Sequence, residues 1–273
     1  MIYHRWSSTL GPLEDTAENI WGTTEYEGDR DEPTVFVGLY GLPDFYSLWR
    51  HKGKKWIFWC GSDITHFKNG YWLEEGGNIK LNPRPLAAWI NKNCESWVEN
   101  EVEYKTLKEL GIESKICPSF LGDVTKFEIS YYGSERTKLY TSISGDEFEL
   151  YGWDKIPNLA KENPNIEFHL YGASSYIAAM GFDNIFFHGR VPKEQMNEEI
   201  KYMQGSLRLT EFDGFSEIVA KSLLMGQWPV SLIEYPHTLK PENIELLKIA
   251  KEPNYKGREW LLSVVNQFPW SQK

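Results

Sequence analysis

Short runs rich in β-branched and aromatic residues alternate with longer runs of helical character almost throughout this chain, and that alternation constrains the fold most. The runs at 1–6, 34–40, 55–59, 95–99 and 114–118 read as strands, followed by 138–142, 166–171, 184–188, 206–210 and 228–233. Thr34-Val35-Phe36-Val37 and Trp56-Ile57-Phe58-Trp59 are continuously apolar, which suits parallel strands covered on both faces. The helices between them carry end signals. Asn100 with Glu103 forms a capping box before Val102, Leu107 and Leu110, and Gly111 stops that helix. Pro85 suits the first turn of a helix holding Leu86, Trp89 and Ile90. Further helices are predicted over 194–204 and over 216–225 with Gly226 after it, and tail helices over 241–251 and 254–267. Such alternation predicts an α/β chain with two doubly wound sheets.

At roughly 150 residues per domain, 273 residues leave room for about two domains. The turn-rich stretch from Gly122 to Glu135 is the natural boundary. The net charge is −10, and a cut after Glu135 leaves both halves acidic, so no nucleic-acid partner is expected. A hydrophobic content of 41% with 12 Trp excludes a disordered chain; core packing is the default for each Trp. No apolar run has membrane-spanning length, and the first residues lack the apolar stretch of a signal peptide. Cys60, Cys94 and Cys117 are scattered, which suggests free thiols in a reducing, cytoplasmic setting. His4, His51, His66, His169, His188 and His237 show no metal-ligand spacing, and no metal is expected. Walker A, GxSxG and GxGxxG patterns are absent. The acidic stretch 25–32 reads as a solvated loop.

The strongest chemical signal lies in 206–230: a strand, a turn through Asp213 and Gly214, a helix, then a strand after Pro229. The first N–H groups of such a helix lack partners, its dipole is positive there, and Gly214 would let a ligand approach the backbone. A turn at the carboxyl end of a parallel strand is the usual binding position in open α/β sheets, and a phosphorylated ligand fits it. The same residues also describe an ordinary strand–helix turn, with Gly for geometry and Asp or Ser as the cap. In the first half, Gly61, Asp63 and His66 follow an apolar strand and are candidates to meet an acceptor hydroxyl; the alternative is a turn in which Ser62 or Asp63 caps the next helix. Residues 38–44 form a second such turn. Arg50 to Lys55, among Trp49, Trp56 and Trp59, reads as a solvated turn or a contact for an anionic membrane surface.

The stretch 206–230 resembles the donor-site motif of retaining GT-B glycosyltransferases, in which an acid precedes Gly-Phe-Gly and a Glu follows on the helix. Three further segments are similar to that family in order: 116–127 to its interdomain hinge, 152–172 to the first helix and second strand of its donor domain, and 184–192 with Met196 to its Gly-x-Val-Pro turn. The resemblance implies a GT-B fold: two Rossmann-like doubly wound parallel-sheet domains facing a cleft. Residues 1–122 would form a trimmed acceptor-side domain, 123–135 a hinge, and 136–273 the donor domain with C-terminal helices. It further implies transfer of a sugar from a nucleotide-diphosphate sugar to a carbohydrate, lipid or protein acceptor, with retention and no metal or other cofactor. Gly189, Arg190 and Val191 would meet the base, and Asp213 the sugar hydroxyls. Gly214, Phe215 and Ser216 would present amides, with Gly145 and Glu217 completing the donor site. Lys221 stands where the family carries its second Glu, Asp146 where it carries an Arg, and Tyr151 in place of a Lys. Diphosphate departure would then fall to Arg190, Lys221 and the helix end near Ser216. Those departures keep a second reading open, a catalytically impaired GT-B-like nucleotide-sugar binding or scaffold protein. Glu211, Asp213 and Glu217 keep a third, a nucleotide-sugar epimerase.

Overall fold

The computed structural model describes residues 1–10, 19–28, 30–70, 82–131 and 136–272. They form two compact units. The first comprises Met1–Asp123, Phe212–Phe215 and Val264–Lys273, and the second Val124–Glu211 and Ser216–Ser263. Part of the expected hinge (132–135) and Asp29 of the acidic stretch lie outside the described residues.

Unit 1 holds β1 (Tyr3–Trp6), β2 (Thr24–Glu25), β3 (Thr34–Val37), β4 (Lys55–Phe58), β5 (Glu95–Val98) and β6 (Ser114–Ile116). They pair in parallel in the order β2-β1-β3-β4-β5-β6. The continuous apolar runs serve two faces. Phe36, Ile57, Trp59 and Val98 pack on one side, while Val35, Val37, Trp56, Phe58 and Trp97 pack on the other. Between the strands run α1 (Leu42–Arg50), α2 (Ser62–Lys68), α3 (Pro83–Asn93) and α4 (Glu101–Glu109). Pro85 lies in the first turn of α3 as expected, and the Asn82 side chain caps it by accepting from the Arg84 amide. His51, in the supposedly solvated turn, is buried against the rings of Tyr26 and Phe36.

The second face of this sheet is an aromatic layer completed by the C-terminus. Trp270 is fully buried, stacks on Phe268 at 4.5 Å, and meets Trp21 at 5.9 Å and Trp97 at 5.8 Å between ring centroids. The sequence reading placed 264–273 in the second domain. Their place in unit 1 follows from the two large rings, which fill the layer that Trp6, Trp21, Trp56 and Trp97 begin. Strand β2 was not foreseen, because two exposed edge residues carry no periodicity.

Unit 2 holds β7 (Thr137–Ser142), β8 (Ile166–Tyr171), β9 (Ile185–Gly189), β10 (Gly205–Arg208) and β11 (Val230–Ser231), all parallel, in the order β11-β10-β7-β8-β9. The order reverses between β7 and β10, a topological switch point. Its helices are α5 (Ile156–Glu162), α6 (Lys193–Ile200), α7 (Glu217–Leu224) and α8 (Tyr255–Val264). Leu139, Phe168, Leu170, Leu207 and Val230 of the sheet pack with Trp153 and Ile156. The predicted tail helix over 241–251 is a 3₁₀ segment, Pro241–Lys248, and α8 stands within the predicted 254–267. Among the described residues no helix is long and apolar enough to cross a membrane.

Candidate functional site

At the carboxyl ends of β7, β8 and β9, unit 2 carries a pocket of about 520 Å³, beside the switch point. Its walls are Ser142, Ile143, Ser144, Gly145, Tyr171, Gly172, Arg190, Val191, Lys193, Met196, Glu217 and Lys221. The loops after the strands are tied together by backbone bonds. The Ile143 amide donates to the Tyr171 carbonyl (3.1 Å), and the Gly172 amide to the Gly189 carbonyl (2.8 Å). Gly172 makes this approach possible: its φ is +98°, and a Cβ there would stand 2.0 Å from the Ile143 carbonyl oxygen.

Two cationic groups meet this floor. Arg190 Nε donates to the Gly172 carbonyl (3.2 Å), and its guanidinium lies 3.5 Å from Asp146 Oδ2. Asp146 Oδ1 accepts from the Ser174 amide (2.8 Å); that bond, together with Arg190, holds the Asp146 carboxyl below the usual range. Both partners are exposed, so the pair orients Arg190 rather than stabilising the fold. The second group is Lys221 with Lys193. Their ammonium nitrogens lie 3.0 and 3.1 Å from the same oxygen, Glu217 Oε1. Glu217 and Lys221 share one face of α7, and Lys193 begins α6. Burial pulls the Lys221 pKa down, with Glu217 opposing it. Burial acts to raise the Glu217 pKa, but Lys221 and Lys193 outweigh it and the net shift is downward.

The structure brings Gly145, Arg190, Val191, Glu217 and Lys221 to one pocket. Gly189 stands beside it with its carbonyl committed to Gly172. Ser216 is the buried N-cap of α7, without a side-chain capping bond. Lys193 was missed, although it stands only three residues past Arg190 in the same strand–helix turn. A lysine in the first turn of a helix opposes the dipole, and that was the available signal.

Unit 1 holds buried acids at the carboxyl ends of β4 and β5. Asp63 is fully buried and accepts from the Leu39 amide at 2.9 Å and the Cys60 amide at 3.0 Å. Burial nonetheless pushes its pKa up to about 7. This corrects the acceptor-side expectation, because both of its oxygens brace loops. Gly61 is buried too, whereas His66 is exposed and edge-on to the Tyr40 ring at 5.7 Å.

A second correction concerns the turn after β10. The Phe215 amide donates to Glu99 Oε2 (2.9 Å), and the Gly214 amide to Asp213 Oδ1 (3.1 Å). Two of the three amides expected to face a sugar or phosphate, those of Gly214 and Phe215, are thus taken by carboxylates of the chain. A Cβ on Gly214 would lie 2.0 Å from Glu99 Oε2, so the glycine admits Glu99 rather than a ligand. Asn100 Nδ2 fixes the same turn by donating to the Asp213 carbonyl (2.7 Å), and Glu99 Oε1 accepts from the Ser119 amide (3.2 Å) and hydroxyl. The capping box is half formed. Asn100 Oδ1 accepts from the Val102 and Glu103 amides, but Glu103 reaches back one residue further, to the Glu99 amide (2.7 Å). Burial, opposed by bonds from Ser119 and Phe215, raises Glu99 to about 7. Burial and then Glu99 push Glu103 well above the ordinary range.

No family model and no curated protein matches this chain. Solved structures do. A TarM variant of S. aureus in complex with fondaparinux, α-GlcNAc-glycerol and UDP is similar at a TM-score of 0.55 and 12% identity, over 92% of this chain and 55% of that one. Sucrose-phosphate synthase from Thermosynechococcus elongatus is similar at 0.60 and 11%, over 85% of this chain and 69% of that one. The lipopolysaccharide outer core galactosyltransferase WaaB, in its apo form, is similar at 0.50 and 11%, over 86% and 81%. The chain spans about half the length of the TarM structures, 55% and 54%. Two parallel-sheet α/β units with these neighbours give this chain the GT-B fold.

Proposed function

We propose that the protein transfers a sugar from a nucleotide-diphosphate sugar to an acceptor hydroxyl, with retention and without a metal, and that unit 2 holds the donor. The observation that carries this reading is the switch-point pocket, where Arg190, Lys193 and Lys221 stand around strand-end loops. A charge-assisted hydrogen bond contributes about 1.5–3 kcal/mol, against roughly 0.3–1 kcal/mol for an exposed helix terminus. Side-chain cations, not the tip of α7, therefore do most to stabilise the departing diphosphate. Val191 and the Gly145 loop line the same pocket, and in this reading Val191 holds the base and the Gly145 loop a phosphate. TarM, bound to UDP and α-GlcNAc-glycerol, and WaaB, named a galactosyltransferase, support sugar transfer to a carbohydrate acceptor as the chemistry. The reading extends to lipid or protein acceptors and to the cytoplasm, where Cys60, Cys94 and Cys117 would stay reduced.

Titration with UDP, GDP and ADP, paired with a donor-hydrolysis assay, tests this. One nucleotide should bind, and Arg190→Ala should lower turnover by about tenfold or more, the loss of a contact of about 1.4 kcal/mol. Failure of all three to bind at millimolar concentration would overturn the reading. The hold of Glu99 on the Phe215 amide favours a second reading, a nucleotide-sugar binder without turnover. That protein would keep nucleotide affinity while releasing no sugar from its donor.

A further inference from the structure

Lys221 and Glu217 differ in what they can do when a ligand arrives. The Lys221 side chain is 4% exposed and stays inside the pocket wall, whereas Glu217 is 51% exposed and Lys193 60%. A buried ammonium left without an anion is strongly disfavoured, so Glu217 serves as its counterion. One carboxylate oxygen receives both ammonium groups. A phosphate brings more acceptor oxygens and more negative charge to the same pair. Glu217 is exposed enough to turn toward water once it is replaced.

We propose that Glu217 is a built-in substitute for a ligand phosphate, and that an entering phosphate or diphosphate takes Lys193 and Lys221 over from it. This rests on the donor-site reading only for the identity of the ligand; the exchange itself requires just a phosphate group. It explains how the chain tolerates Asp146 where a cation was expected, because Lys193 of α6 and Lys221 of α7 supply cations to the same pocket. Lysine donates and does not accept, so a ligand hydroxyl pair is not held at this position as a carboxylate would hold it. The site selects for an anion.

The test is calorimetric titration of the full chain with inorganic pyrophosphate and, separately, with UDP. Wild type would be compared with Glu217→Gln, Lys193→Ala and Lys221→Met. Glu217→Gln should bind pyrophosphate about fivefold tighter or more, and Lys193→Ala about fivefold weaker. Lys221→Met should also bind pyrophosphate about fivefold weaker where its melting curve matches wild type; where it does not, the exposed Lys193 carries the test, and unchanged pyrophosphate binding by Lys193→Ala would overturn the exchange. Unchanged or weaker pyrophosphate binding by Glu217→Gln would overturn the exchange. If Glu217→Gln tightens pyrophosphate while UDP, GDP and ADP all fail to bind, the exchange stands and the nucleotide-sugar reading falls. If a nucleotide binds equally to wild type and Glu217→Gln, the reading stands and the exchange falls.

Discussion

Glu103 has its carboxyl group buried beside those of Glu99, Asp63 and Asp213, and retains its proton well above the ordinary range. A raised folded-state pKa contributes stability that is complete below the unfolded value of roughly 4.3 and is lost as pH rises through the folded value. For Asp63 and Glu99 that loss runs up to about 7, and for Glu103 it continues beyond. Glu103→Gln keeps an acceptor for the Glu99 amide and removes the titration. Its melting temperature relative to wild type should therefore improve between pH 6 and pH 8, and a constant difference would contradict the burial argument. His169, whose pKa is lowered to about 4 mainly by burial, acts oppositely: its contribution is present above roughly 6.5 and is lost as pH falls toward 4, equally in both proteins. Gly214→Ala forces Glu99 away from the Phe215 amide and should cost about 1–3 kcal/mol in urea unfolding, the penalty of a buried polar group left unpaired. The burial of these acids and their convergence were not legible in sequence. An Asp after a strand-end glycine reads alike whether it awaits a ligand or braces a loop, and the choice is made by the Leu39 amide, far away in the chain.

Elements were far more legible than residues. The continuous apolar runs at 34–37 and 56–59 marked the sheet of unit 1 as parallel, because strands covered on two faces leave no polar side, and nearly every predicted strand of both sheets is present within a residue or two. The helix over 101–109 was readable from its cap, but the partner of Glu103 was not, since one step of backbone decides between Asn100 and Glu99. Asn100→Ala removes the acceptor for the Val102 and Glu103 amides and the donor to the Asp213 carbonyl. It should cost about 1–2 kcal/mol, more than a cap serving its own helix alone, as measured by denaturant unfolding; a loss within error would show that water replaces the side chain. The Pro241–Lys248 segment escaped correct assignment because its Pro start and its Ile244 and Leu247 spacing fit either a 3₁₀ or an α-helix.

The division of the whole chain was legible only as two α/β units. Its C-terminal return was not, because Phe268 and Trp270 carry no motif and gain their meaning from Trp21 and Trp97. Trp270→Ala should destabilise unit 1 by about 3–5 kcal/mol and lower the melting temperature, whereas an unchanged melt would show that the aromatic layer closes without it. The pocket of unit 2 follows from sheet order, and there the functional account stands or falls. Its most direct test is isothermal titration of UDP, GDP and ADP into wild type and Arg190→Ala. At least one nucleotide should bind wild type, and the variant should bind it about tenfold more weakly. Binding of none at millimolar concentration, or equal affinity in the variant, would contradict it.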